Sequence, residues 1–198
     1  MDDKFKKGVF YQIYPRSFRD SNGDGIGDLP GIIGKLDYLQ SLGVSFLWLN
    51  PIYESPQFDI GYDVADYYKI NPEYGTMDDF KLLLLEAKKR GMGVIMDLVV
   101  NHTSSEHVWF KKALSGDPEY KDYYIFRKGK RGNKPPNNWT SSFSGPAWDY
   151  VEGLDEWYLH LYGPLQPDLN WHNPKVLGEV ENILRFYLDM GVAGFRCD

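Results

Sequence analysis

Three stretches of the chain combine residue types that can do chemistry. Gly194-Phe195-Arg196-Cys197-Asp198 sets an aspartate two positions after an arginine. Residues two apart on a strand point to the same face, so the guanidinium would hold the carboxylate ionised. An ionised carboxylate can attack an electrophilic carbon such as the anomeric carbon of a glycoside. A polar residue ending a strand is the plainer reading of Asp198, and these residues alone leave both open. Asp97-Leu98-Val99-Val100-Asn101-His102 delivers an acid, an amide and an imidazole at the end of an apolar run. Asp20-Ser21-Asn22-Gly23-Asp24-Gly25-Ile26-Gly27-Asp28 has the pattern of a calcium loop. Its oxygen side chains come first, third, fifth and ninth, glycine sixth, and a carbonyl (Ile26) seventh. Gly31 stands where such a loop has its bidentate glutamate. A turn in which Asp and Asn bond their own backbone fits the same residues.

These residues must be positioned by regular elements. Val9 to Tyr14 is β-branched and aromatic and is stopped by Pro15, which predicts a strand. Leu29, Ile32, Ile33, Leu36, Leu39 and Leu42 recur at helical spacing, with Gly43 as the stop. Val44 to Leu49 is an almost continuous apolar run, as in a strand buried on both faces. A loop to Tyr74 leads to Thr76-Met77-Asp78-Asp79, a capping box with Asp in place of Glu. Phe80, Leu83, Leu84 and Ala87 then predict a helix ending at Lys88, Lys89, Arg90 and Gly91. Val94 to Val100 is the third strand. Asn173-Pro174 opens a helix through Val176, Val180, Ile183, Leu184, Tyr187 and Leu188, closed by Gly191. Val192 to Cys197 is the fourth strand.

Strand and helix alternate, which predicts parallel strands joined by right-handed crossovers. The connection after the third strand is far longer than a normal loop, so Thr103 to Asp168 is expected to be an inserted subdomain. It is rich in aromatics, among them Trp109, Tyr123, Tyr124, Trp139, Phe143, Trp148 and Trp157. Singly these are expected to build a small core; together they favour a cleft for sugars. Turns are expected at Lys130-Arg131-Gly132-Asn133 and Pro135-Pro136-Asn137, and Arg127 to Lys134 is expected to be a solvated basic turn. Asn50, Asp97, Asn101, His102, Arg196 and Asp198 all fall at C-terminal ends of predicted parallel strands, the rim where α/β barrels carry their active sites.

Composition narrows the class. The 198 residues are 42% hydrophobic and 25% charged, ordinary for a soluble domain. Aromatics make up 16% and the net charge is −6, which leaves no basic footprint for nucleic acid. The single cysteine, Cys197, excludes an intrachain disulfide and fits a reducing, cytoplasmic setting. No stretch approaches the length of a membrane span, and the N-terminus has no apolar signal core.

The two signature stretches, with Gln166-Pro167-Asp168-Leu169-Asn170 and the opening Val9-Phe10-Tyr11-Gln12-Ile13-Tyr14-Pro15-Arg16-Ser17-Phe18, resemble the α-amylase family (glycoside hydrolase family 13) in its oligo-1,6-glucosidase and α-glucosidase branch. The resemblance runs in the family's order through nearly the whole chain. It implies an α/β fold: the first half, four strands, of a TIM (β/α)8 barrel with a subdomain inserted after the third strand. The barrel would occupy residues 1–102 and 169–198, and the insert 103–168. It implies Asp198 as nucleophile with Arg196 beside it, and Asp59, Tyr62 and His102 as sugar-binding residues. Phe143 and Gln166 are further candidates to line the pocket, and Asp97 and Asn101 support the site. It also implies structural Ca²⁺ on Asp20, Asn22, Asp24, the Ile26 carbonyl and Asp28, with no organic cofactor. Ile60 stands where this branch commonly has asparagine.

The implied activity is that of a retaining, exo-acting α-glucosidase on short α-glucosides. The alternatives are a trehalose-synthase-like isomerase or a non-catalytic relative serving as scaffold. The acid/base glutamate of the resemblance matches none of Glu54, Glu73 or Glu106, so the 198 residues alone are expected to be inactive. The open edges and apolar face of a half barrel are expected to favour poor solubility or self-association.

Overall fold

The computed structural model describes residues 3–132 and 134–198. Asn133, part of one expected turn, lies outside the described residues. By its contacts the chain divides into two compact units, one of Met1–Glu54, Tyr67–Leu98 and Ile183–Asp198, the other of Ser55–Asp66 and Val99–Asn182.

The first unit is built on a four-stranded parallel sheet in the order β1 (Val9–Ile13), β2 (Val44–Leu49), β5 (Gly93–Leu98), β9 (Gly194–Cys197). A short helix α1 (Asp3–Lys7), not foreseen, precedes β1 and packs the Phe5 ring, tilted, against Phe46 with ring centroids 4.5 Å apart. Helix α2 (Pro15–Phe18) follows β1. The expected helix over Leu29–Leu42 is two pieces, α3 (Leu29–Ile33) and α4 (Leu36–Ser41). Gly34 ends the first piece, where glycine weakens a helix interior. Between β2 and the next helix lies a small sheet of β3 (Tyr53–Glu54) and β4 (Asp66–Ile70), also unforeseen.

Helix α5 (Met77–Lys89) starts at the expected capping box: Asp79 N–H donates to Thr76 Oγ1 at 3.2 Å, and Thr76 N–H donates to Asp79 at 2.8 Å. Gly43, Gly91 and Gly191, the three expected helix stops, all have positive φ. Tyr53, Tyr67, Phe80 and Tyr187 pack edge to face in the core, and Tyr187 Oη donates to the Tyr67 carbonyl at 2.6 Å.

The third strand stops at Leu98 rather than Val100. Beyond it the Val100 carbonyl accepts from the Trp171 indole at 2.9 Å instead of from a neighbouring strand. The fourth strand begins at Gly194 rather than Val192, although Ala193 N–H already bonds Val94 O at 2.8 Å.

The second unit carries α6 (Val108–Leu114), α7 (Pro118–Lys121) and an antiparallel sheet in the order β6 (Phe126–Arg127), β8 (Glu156–Leu159), β7 (Trp148–Val151). Ala147, Trp148 and Leu159 form its buried cluster, flanked by Ile125, Trp157 and Leu161. Trp109, Tyr123, Tyr124 and Trp148 are buried, so these aromatics build core, while Trp139 and Phe143 stay exposed. Helix α8 (Pro174–Met190) divides between the units. At its start Asn173 Oδ1 accepts from Lys175 N–H at 3.0 Å, the cap expected from Asn-Pro.

Candidate active site

In the first unit the carboxylates gather around one arginine. Asp97 and Arg196 are register partners on β5 and β9. The Asp97 side chain is 0% exposed. Its oxygens accept from Arg196 Nη1 at 2.8 Å and from Trp48 Nε1 at 3.0 Å, and Tyr53 Oη donates to its backbone carbonyl at 2.8 Å. The same Arg196 Nη1 donates to Asp198, whose N–H bonds Leu98 O at 3.1 Å and so continues the ladder past β9. The guanidinium lies 5.2 Å from the Trp48 ring centroid. The hydrogen bond with Asp97, more than the one with Asp198, raises the arginine further above its ordinary value. Asn50 is buried, and its Oδ1 accepts from Gln12 at 2.8 Å.

In the second unit the other candidates share one network. Gln166 Nε2 donates to Asp59 Oδ2 at 2.8 Å and lies 3.2 Å from His102 Nε2. His102 is 1% exposed, and its Nε2 sits 2.9 Å from the Tyr62 carbonyl. Its Nδ1 faces Asn101 Nδ2 at 3.2 Å. Asn101 Nδ2 also donates to Asp168 at 3.3 Å. Phe143 does not join the network: its exposed ring meets Tyr162 at 5.7 Å, and Tyr162 meets the His102 ring at 5.1 Å.

Two members had no role assigned from sequence. Asp168 belongs to the Gln166–Asn170 signature; burial pushes its carboxyl up to about 6, against the pull of hydrogen bonds from Leu161 N–H and Asn101. Asp63 is fully buried and ties the segment before it, accepting from Ser55 Oγ at 3.0 Å, Phe58 N–H at 3.0 Å and Asp59 N–H at 2.9 Å. The spacing of Asp59 to Asp63 was the available signal, since a short acid that bonds preceding amides closes a tight loop. Within that loop Ile60 has φ 48°. A β-branched residue is strained there and asparagine is tolerated, which gives a physical reason for asparagine at this position.

The loop Asp20–Asp28 is held by its own amides. Asp20 accepts from Gly23 N–H at 2.7 Å and Gly25 N–H at 2.9 Å, and these bonds keep its carboxyl below the usual range. Asp24 accepts from Ile26 N–H at 2.8 Å. Asp28 is buried and caps α3, accepting from Gly31 N–H at 2.6 Å and from Ser21 Oγ at 2.7 Å. A Cβ at Gly31 would lie 2.0 Å from the Arg19 carbonyl, so no glutamate can stand there. Among the described residues no three His, Cys, Asp or Glu side chains form a metal cluster. The side-chain oxygens of Asp20, Asn22, Asp24 and Asp28 all accept from groups of the loop or its cap, so a cation held by them and by the Ile26 carbonyl would have to share those oxygens.

A family model for the α-amylase catalytic domain matches residues 12–198. The chain is 60% identical over 195 residues to an oligo-1,6-glucosidase of Parageobacillus thermoglucosidasius, covering 98% of this chain and 34% of that protein. It superposes on the crystal structure of the trehalose-6-phosphate hydrolase of Bacillus licheniformis with TM-score 0.96 at 54% identity, covering 98% of this chain and 35% of that one. The isomaltulose synthase of Protaminobacter rubrum gives TM-score 0.97 at 52% identity, covering 100% of this chain and 36% of that one. The chain thus spans about a third of the length of these relatives. Its four parallel strands correspond to the N-terminal part of their TIM barrel. No helix among the described residues is long and apolar enough to cross a membrane. This chain belongs to the α-amylase family, glycoside hydrolase family 13.

Proposed function

We propose that the protein serves a retaining, exo-acting α-glucosidase reaction on short oligosaccharides of the isomaltose or maltose type, in the cytoplasm. The observation that carries this reading is Arg196 shared between buried Asp97 and Asp198 at the strand ends. Asp97 fixes the guanidinium, and the guanidinium orients Asp198 for attack on the anomeric carbon. Asp59, Tyr62 and His102 bind the glucosyl unit, with Gln166 holding Asp59 and with Phe143 as a lining residue. Retention needs a second carboxyl group about 5 Å from the nucleophile. We assign it to a glutamate outside these 198 residues, which protonates the leaving oxygen and then activates water.

The test is hydrolysis of isomaltose, maltose and nitrophenyl α-glucoside by the polypeptide at the length of its relatives. Asp198→Asn should lower kcat by at least about 10³ with little change in fold, in line with loss of a catalytic nucleophile. Retained activity in that variant sinks the assignment. A second reading, isomerisation, is favoured by the similarity to the isomaltulose synthase; sucrose as substrate separates the two, since hydrolysis gives glucose and fructose and isomerisation a new disaccharide.

We also propose that the Asp20–Asp28 loop binds Ca²⁺ structurally, through Asp20, Asn22, Asp24 and the Ile26 carbonyl, with Asp28 contributing as its cap bonds allow. Calcium should raise the melting temperature, and Asp20→Asn should abolish that shift. No organic cofactor is part of this reading. The chain by itself is inactive and self-associates through the apolar face of its sheet, where Phe10, Trp48, Ile95 and Phe195 line an open groove; light scattering on the 198 residues tests the second point.

A further inference from the structure

Both nitrogens of His102 are engaged, and the chemistry of its neighbours decides which one carries the proton. Nε2 has two neighbours: the Tyr62 carbonyl at 2.9 Å, which can only accept, and the Gln166 amide nitrogen at 3.2 Å. The amide's hydrogens have other acceptors, Asp59 Oδ2 at 2.8 Å and the same Tyr62 carbonyl at 3.5 Å, whereas a lone pair of Nε2 set against the carbonyl at 2.9 Å would be repelled, so Nε2 donates. At the other nitrogen the partner is an amide, which can present either end. Asp168 removes that freedom. Its Oδ1 accepts from Leu161 N–H at 3.0 Å and from Asn101 Nδ2 at 3.3 Å. A carboxylate oxygen demands a donor from Asn101, so the NH₂ end is turned inward and its second hydrogen meets Nδ1 at 3.2 Å. Nδ1 is therefore the acceptor, and the two ends of the ring agree on one tautomer.

The bond to Tyr62 falls on a segment that needs holding. Gln57 and Ile60 both adopt positive φ, at 65° and 48°, as does Gly61 at 96°. Non-glycine residues in this region persist only when their surroundings fix them. Asp63 ties the front of the segment through Phe58 and Asp59 amides. His102 and Gln166 hold its end at the Tyr62 carbonyl and the Asp59 carboxylate.

We propose that Asp168 is a positioning residue: through Asn101 it fixes His102 as the Nε2–H tautomer, and the resulting bond to Tyr62 pins the Asp59–Tyr62 segment for sugar binding. The last clause rests on the proposed function; the tautomer does not. The buried carboxyl of Asp168, with its value near 6, is ionised at the pH where the network is needed.

The test is long-range ¹H–¹⁵N correlation of the imidazoles at pH 7.5. With four histidines in the chain, His102 is assigned by a single substitution. The expected wild-type pattern is Nε2–H with Nδ1 unprotonated. Asp168→Leu, which takes away the acceptor, should shift the tautomer ratio by at least about tenfold toward Nδ1–H, the equivalent of one hydrogen bond of about 1.4 kcal/mol. Asp168→Asn keeps an oxygen at the same place and should restore the wild-type pattern. Asn101→Asp, which sets a carboxylate against Nδ1, should protonate that nitrogen. A wild-type His102 carrying its proton on Nδ1 overturns the proposal whatever the variants do. So does an unchanged pattern in both Asp168→Leu and Asn101→Asp. If the tautomer behaves as expected but Asp59→Ala at the length of the relatives leaves KM for isomaltose unchanged, the sugar-binding reading fails and the tautomer assignment stands.

Discussion

Replacing Arg196 by methionine isolates what the arginine does for the fold. Asp97 has a side chain with 0% exposure, while that of Arg196 is 39% exposed. Methionine keeps much of the aliphatic stem but removes the donor at 2.8 Å, leaving Trp48 Nε1 at 3.0 Å on the other oxygen. Removing one partner from a buried ion pair costs about 3–5 kcal/mol because the other charge is stranded. Here the arginine is partly solvated, so the expected loss lies at the low end, about 3 kcal/mol, including about 0.5 kcal/mol for the contact with the Trp48 ring. Urea unfolding followed by tryptophan fluorescence measures it. Asp97→Asn in the same background should return about 2 kcal/mol, since the stranded charge is gone, and the double-mutant cycle should give a coupling of at least about that size, increased by whatever Asp97→Asn costs with Arg196 in place. A loss under about 1 kcal/mol for Arg196→Met, or additive effects in the cycle, would mean that Asp97 is not stabilised by this pair and that the arginine serves Asp198 alone.

Ile60→Asn should stabilise the chain by about 0.5–1 kcal/mol, because it relieves a β-branched residue at φ 48°; a thermal melt shows whether it does. Thr76→Ala removes the side-chain half of the capping box on α5 and should cost about 1 kcal/mol in urea unfolding, with Thr76→Ser close to neutral. Two buried groups should give opposed pH profiles between pH 4 and 6.5. Burial lowers His107 to about 4 from 6.5, so the unfolded chain takes the proton first and stability falls as pH drops from about 6.5 to about 4, by about 3 kcal/mol. Burial raises Asp168 to about 6 from 3.8, so the folded chain takes the proton first and stability rises over about pH 6 to 4, again by about 3 kcal/mol. His107→Gln should therefore gain stability on acidification and Asp168→Asn should lose it, and parallel profiles for the two variants would contradict both assignments.

The sheet was legible because its strands are nearly continuous apolar runs without helical spacing: Val44–Leu49 forms the strand that its run predicts. The ends of the third and fourth strands were not, because Val99, Val100 and Val192 are as apolar as their neighbours; the Val100 carbonyl is taken by the Trp171 indole, far along the chain, and the Val192 N–H by the Tyr187 carbonyl at the end of the preceding helix. The small β3–β4 sheet was hidden for a similar reason, its first strand being only Tyr53–Glu54. The candidate site was legible in its residue types. The direction of its hydrogen bonds was not: the spacing of Asp198 and Arg196 foresaw their contact, but nothing in it announced that Arg196 is shared with Asp97. His102 was expected to offer an edge to a sugar, and its burial with Nε2 on a backbone carbonyl could not be read from Asn101-His102 alone.

The co-occurrence of two signatures, Asp97–His102 and Gln166–Asn170, has a backbone cause. After Leu98 the chain leaves the sheet while still buried at His102, Thr103 and Ser104, and buried amides and carbonyls outside a sheet need partners. The second signature supplies them. Asn101 O accepts from Leu169 N–H at 2.9 Å, and Thr103 N–H donates to Pro167 O at 3.2 Å. His102 and Asp168 pair as an isolated antiparallel bridge, and Ser105 N–H reaches Leu165 O at 2.8 Å. Residues 165–169 thus act as a short surrogate strand for residues 101–105. Side chains alternate along such a strand, so Gln166 and Asp168 share the face that His102 occupies opposite them, and Gln166 reaches His102 there. A one-residue insertion between Gln166 and Asp168 would reverse that alternation. The signature spacing is therefore a register requirement before it is a chemical one.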